Sequence, residues 1–208
     1  ADPLSEAFVV AAAETGIPTN PDFNGATQEG AGFFQTTTNR GRRASTAYSY
    51  LRPAKTRRNL HIETSALAQR ILFEGRRAKA VEYRQEGRVR TARARKEILV
   101  SSGAYNSPQL LQLSGVGPAD LLRQHGIGIV LDAPGVGNDL QDHMQVRLVT
   151  RCAQKVTLND VVNHPIRKML AGLQYAAFRK GPLTIAAGTS GAFFKTSPRL
   201  ASPDIQIH

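Results

Sequence analysis

Apolar residues recur at helical spacing near the start of the chain and again beyond residue 103. Between residues 60 and 100 they fall instead into strand-length runs. "DPLSEAFVVAAAETG" predicts a helix. Asp2 can cap it, Pro3 suits the first turn, Gly16 can close it, and Phe8, Val9, Ala12 and Ala13 form its apolar face. "IPTNPDFNGATQEGAG", dense in Pro, Asn and Gly, predicts a loop. A polar, Thr- and Arg-rich stretch then runs to "STAYSYLRPA".

From Leu60 the period changes. "LHIET", "ALAQRILFEG", "RAKAVEYRQEG" and "RVRTARARKEILV" have strand length, and Glu74-Gly75 and Glu86-Gly87 separate them as hairpin turns do. The pattern predicts an antiparallel meander ending in "EILV", a continuous apolar run suited to a strand buried on both faces. Next come Ser101, Ser102, Gly103 and Ala104, then Asn106-Ser107-Pro108 and "QLLQL". Asn106 or Ser107 is expected to cap the following helix, with Pro108 in its first turn. A strand, a small-residue turn and a helix in that order present backbone N–H groups to a ligand. "PADLLRQHG" predicts a further short helix, and "IGIVLDAPGVG" a strand with a glycine turn. "MQVRLVTRC" and "GAFFK" predict strands, and "TLNDVVNHPIRKMLAGLQYAAFRKG" a helix interrupted at Pro165.

The formal charge of +11 is local, since seventeen of the 27 Lys and Arg residues lie between Arg40 and Lys96. It fits solvated strand faces. It also fits a basic nucleic-acid-binding module, but the aromatic residues do not alternate with the cations as a base-stacking platform requires. No apolar run reaches the roughly 18 residues of a membrane span. Cys152, the single cysteine, excludes an internal disulfide, suits a cytoplasmic protein, and is expected to be a buried thiol. The chain starts at Ala1 rather than Met and stops on the strand-like "PDIQIH". We therefore expect a piece of a longer protein.

Three Gly-x-Gly pairs occur, at 115–117, 126–128 and 135–137, and none has the third small residue of a dinucleotide fingerprint. Each reads as a turn. Asp142-His143 is a poor dyad, because neighbours on a strand point to opposite faces. His61, His125, His164 and His208 show no metal spacing. These residues alone describe an α/β fragment with a backbone-lined ligand turn, no metal site and no catalytic group.

One stretch says more. Gly103-Ala104, Ser107-Pro108, Leu110-Leu111 and Ser114-Gly115-Val116-Gly117 resemble the second signature of the glucose–methanol–choline oxidoreductase family at every constrained position. "DFNGATQEGAG", "RRASTAYSYLRPA", "PGVGNDLQDH", "TLND" and "GPL" resemble family segments in the family order, so the likeness covers nearly the whole chain. It is similar above all to the bacterial choline and alcohol dehydrogenase branch. Asp139 departs from the family loop, which usually has Asn there.

The resemblance implies FAD as cofactor and oxidation of a primary alcohol, choline-like or other, to an aldehyde by hydride transfer to flavin. It implies part of a Rossmann-type FAD-binding domain with the β-meander over residues 46–125. Parts of a substrate-binding domain would occupy 1–45 and 126–208. Ser101, Ser102 and Gly103 would pass beside the dinucleotide, and Leu67 would set a backbone group against adenine. The dinucleotide fingerprint and the catalytic histidine would lie in N- and C-terminal segments outside these residues. This chain would then hold no catalytic residue and be inactive alone.

Overall fold

The computed structural model describes residues 3–185 and 188–208. The chain begins with α1 (Pro3–Glu14), β1 (Gly30–Phe33) and a small hairpin of β2 (Thr38–Asn39) and β3 (Arg42–Arg43). A π-helical turn at Ala47–Leu51 runs into the single turn α2 (Arg52–Ala54). The meander β4 (Leu67–Glu74), β5 (Arg77–Gln85) and β6 (Arg88–Arg93) leads to α3 (Gly103–Leu113). β7 (Val116–Gly117), α4 (Ala119–Gln124) and β8 (Leu131–Asp132) follow. Beyond them lie α5 (Leu158–Val162), α6 (Pro165–Phe178), β9 (Ser190–Phe194) and β10 (Ile205–Ile207). The chain folds as two units, one of Ala1–Leu60 with Leu148–His208 and the other of His61–Arg147.

In the first unit β9 is the central strand, antiparallel to both β1 and β10. Ala12 of α1, Ala31 of β1 and Ala192 of β9 form its buried centre, with Phe8 and Ile17 packed against them. Three alanines at one crossing let a helix lie close on a sheet. The helix predicted at the start is present, although the expected cap Asp2 falls outside the described residues. The predicted loop is shorter than expected, because Gly30, Ala31 and Gly32 belong to β1. Their smallness serves packing: a Cβ on Gly30 would stand 2.7 Å from Pro18 O and from Asn20 Cβ. The 18–20 segment therefore rests directly on the strand, and Asn20 N–H donates to Ala31 O at 2.8 Å. Pro165 divides the long helical stretch as predicted, with His164 Nδ1 accepting from Arg167 N–H at the start of α6.

In the second unit the meander forms as the turn residues dictate. Gln85 pairs with Arg88 across Glu86 and Gly87, both at positive φ, the condition for a two-residue hairpin. Arg70 meets Glu82 across the strands through two hydrogen bonds of 2.9 and 3.1 Å. Lys79 pairs with Glu74, Arg90 with Glu86, and β6 is exposed along its length. This is a solvated strand face, as the charge pattern suggested.

α3 packs against β4 and is fastened there by Ser114. The Ser114 hydroxyl donates to Leu110 O at 2.5 Å and accepts from Ile71 N–H at 2.7 Å. Gly115 then turns at φ +87°, where a Cβ would run into Gly128 O and Val130. That close approach lets Val130 N–H donate to Gly115 O at 2.8 Å and starts the parallel pairing of β7 with β8.

Five expectations need correction. Residues 60–64, 97–100 and 144–152 form no strand. Leu99 is 81% exposed and Met144 93%. An apolar run becomes a buried strand only when a neighbour takes up its backbone groups, and no described segment pairs with these three. Cys152 lies in the last of them and is exposed, not buried. The helix after the small-residue turn begins at Gly103 rather than near Asn106, leaving Pro108 inside it. Ser107 supports that earlier start from within, accepting from Ser102 N–H at 2.9 Å.

Removing the Ser114 hydroxyl strands the buried N–H of Ile71 on β4. Ser114→Ala is expected to lower unfolding free energy by about 1–3 kcal/mol, measured by urea titration. A value indistinguishable from wild type would show that this link does not hold α3 on the sheet.

Candidate functional site

The turn formed by Ser101, Ser102 and Gly103 follows the strandless segment 94–100 and leads into α3. All three residues are exposed. Ser102 has φ −88° and ψ 7°, outside the helix, and its side chain makes no cap bond to α3, while its own N–H is taken by Ser107 Oγ. Among the described residues the N–H groups of Gly103 and Ala104 have no side-chain acceptor, and they carry the positive end of the helix dipole. Gly103 has φ +86°, and a Cβ built on it meets nothing within 4 Å. The geometry here differs from that at Gly115: Gly103 faces open space, and Gly115 faces protein. Leu67, 67% exposed, opens β4, the strand against which α3 packs.

A cleft of about 470 Å³ lies beside α3, between Tyr105, Pro108 and Gln112 of the helix and Gly137, Asn138 and Leu140 of the loop after β8. The sequence read that loop as a glycine turn within a family segment, "PGVGNDLQDH". Asp139 has φ +56°, a left-handed conformation that Asn and Asp adopt more readily than other side chains. The backbone thus accounts for a short polar residue at this position, whichever of the two it is. The Asp142 carboxylate accepts from the backbone N–H of His143 at 2.8 Å.

The first unit contains a separate cavity of about 540 Å³, whose apolar lining includes Phe33, Phe34, Val156, Val161, Pro182 and Ile185. Thr157 and Asp160 make a capping box at its edge. Thr157 donates to the Asp160 carboxylate through Oγ1 at 2.6 Å and through its N–H at 2.9 Å, and Asp160 N–H returns a bond to Thr157 Oγ1 at 3.3 Å. The hydroxyl and backbone bonds from Thr157 hold the Asp160 carboxyl below the usual carboxylate range, and the charges of Arg167 and Lys155 add to this. Among the described residues no group of three or more His, Cys, Asp or Glu is placed to hold a metal ion. No described helix is long and apolar enough to cross a membrane.

The described elements make a mixed α/β protein whose main sheets are antiparallel. Residues 1–145 match the GMC oxidoreductase family, and the chain belongs to that family. It is 44% identical over 206 residues to the mitochondrial choline dehydrogenase of Mus musculus, covering 99% of this chain and 34% of that protein. It is 46% identical over 212 residues to an oxygen-dependent choline dehydrogenase of Burkholderia vietnamiensis, covering all of this chain and 37% of that protein. An FAD-dependent oxidoreductase from Chaetomium thermophilum superimposes with a TM-score of 0.78 at 26% identity, over 92% of this chain and 34% of that one. The chain spans about a third of the length of the curated relatives it matches.

The capping box gives α5 a pH dependence of known sign. Asp160 titrates lower in the folded chain, so its contribution is complete above the ordinary Asp value of about 3.9. That contribution is lost as pH falls through the folded value. Helical carbon chemical shifts of residues 158–162 are expected to decay on acidification through that window in wild type. In Asp160→Asn this step should be absent, and an identical acid profile in the two proteins would rule out the box as its cause.

Proposed function

We propose that this chain is the central part of an FAD-dependent oxidoreductase that oxidises a primary alcohol, choline or a similar compound, to an aldehyde. The observation that carries the reading is the open turn at Ser101–Gly103, on a chain of this family. Backbone N–H groups at an uncapped helix start suit an anionic phosphate group. The missing Cβ at Gly103 leaves room for a ligand to approach the backbone. FAD bound here would supply the hydride acceptor. Within this chain Ser101, Ser102 and Gly103 would hold the dinucleotide, and Leu67 would lie against adenine.

In this reading residues 46–125 belong to the cofactor side, and 1–45 with 126–208 to the substrate side. The extended apolar segments 97–100 and 144–152 would then pair with segments of the full-length polypeptide outside these residues. No residue of this chain is assigned the proton-accepting role. Cys152 is a free, exposed thiol in this chain. An exposed free thiol suits a reducing compartment, and we place the protein in the cytoplasm.

Two substitutions in the full-length protein test the turn. Gly103→Val introduces a side chain into the space the cofactor would use, and should lose most of the flavin, read as the flavin-to-protein absorbance ratio. Gly115→Val meets Gly128 and Val130 at a positive φ, and should lower apo stability by at least about 1–3 kcal/mol. It should lose less flavin than Gly103→Val when both are assayed well below their melting temperatures. Full flavin occupancy in Gly103→Val would remove the turn from the cofactor site. Separately, the purified 208-residue chain supplied with FAD should not oxidise choline or another primary alcohol; measurable turnover would show that it carries its own proton acceptor.

A further inference from the structure

Two of the three Gly-x-Gly pairs converge on one side chain. Gln112, in the last turn of α3, runs between Gly117 and Gly137. A Cβ on Gly117 would stand 2.9 Å from Gln112 Cγ, and one on Gly137 would stand 2.6 Å from Gln112 Nε2. Both separations are shorter than side-chain contacts tolerate: Gly117 clears the slot for the stem of Gln112, and Gly137, whose φ of +85° itself favours glycine, lies against the amide end. At the end of that slot the Gln112 amide donates to Val136 O at 2.9 Å.

The loop it grips is otherwise folded on itself and on β7. Val136 N–H donates to Ala133 O at 3.0 Å, Asn138 Nδ2 donates to Pro134 O, and Ala133 N–H donates to Gly117 O at 2.9 Å. Among the described residues, Gln112 supplies the side-chain hydrogen bond that joins residues 133–138 to α3. Asp139, in its left-handed conformation, and the run to His143 follow directly. The cleft of about 470 Å³ lies between that loop and α3, and Gln112 is part of its wall.

We propose that Gln112 is a positioning residue that fixes the spacing between α3 and the 133–140 loop, and so the width of this cleft. The inference rests on the flavin reading above, in which α3 begins at the cofactor turn. Gln112 acts through the loop and touches no reacting atom. An amide suits the role because it donates to a carbonyl without adding charge; a carboxylate has no proton to donate and repels the carbonyl oxygen.

The test uses the full-length flavoprotein, with wild type beside Gln112→Met and Gln112→Glu. Methionine keeps the chain length and the apolar contact with Gly117 but has no amide. Hydrogen–deuterium exchange across residues 133–140, with and without flavin, reads the tie. The visible absorption bands and the rate of flavin reduction by saturating choline read its consequence. Exchange in 133–140 should rise in both variants while β4–β6 stay protected. Reduction should slow by about 10- to 100-fold, with shifted absorption bands, while flavin retention changes little. Unchanged loop exchange in Gln112→Met would overturn the tie. Faster exchange with unchanged bands and reduction rate would leave Gln112 a packing residue and overturn the positioning role. A wild-type protein that binds no flavin would overturn the cofactor reading and the positioning role with it. A flavoprotein that choline does not reduce would exclude choline itself as the alcohol, and the band shifts in Gln112→Met would still decide the positioning role.

Discussion

The second unit depends on a two-bond relay through one hydroxyl. Ser114 ends α3, and its Oγ stands between Leu110 O on the helix and Ile71 N–H on β4. Helix ends leave carbonyls without partners, and an edge strand leaves its outward N–H groups without partners. β4 is an edge strand of the meander, and Ile71 lies opposite Val81 of β5, its neighbour on one side only. A single buried serine therefore resolves a deficit on each element and fixes where the helix lies on the sheet. The start of α3, and with it the proposed cofactor turn, is placed by an anchor at the helix's other end.

Small residues have three distinct purposes along this stretch. Gly103 leaves space open to the outside, Gly115 brings two backbones together, and Gly117 and Gly137 admit a side chain between them. In the first unit Gly30 does what Gly115 does in the second, seating the 18–20 segment on β1. The same residue type thus marks a ligand approach, a backbone contact and a side-chain slot, and only its neighbours distinguish them.

Apolar segments divide in a similar way. Ala12, Ala31 and Ala192 bury one another because a helix and two strands bring them together. Leu99, Met144 and Leu148 have equal or greater apolar surface and remain exposed. Hydrophobicity supplies the drive to be buried, but burial of an extended chain also requires a partner for its N–H and C=O groups.

The sequence by itself determined the elements whose signals are local. α1, the Glu86-Gly87 hairpin, the break at Pro165 and the strand around Phe193 could all be read from period, turn residues and proline, because those act within a few residues. The family signature was equally legible, since it is a fixed spacing along one helix and its turns. Tertiary structure decided what depends on distant neighbours. It placed Gly30–Gly32 in a strand, left 97–100 and 144–152 unpaired, exposed Cys152, and began α3 at Gly103 through the Ser107 bond. It also brought Gln112 to Val136 across 24 residues. No period or propensity in one segment encodes the partner offered by another, and hydrogen-bond pairing and close packing are properties of the pair.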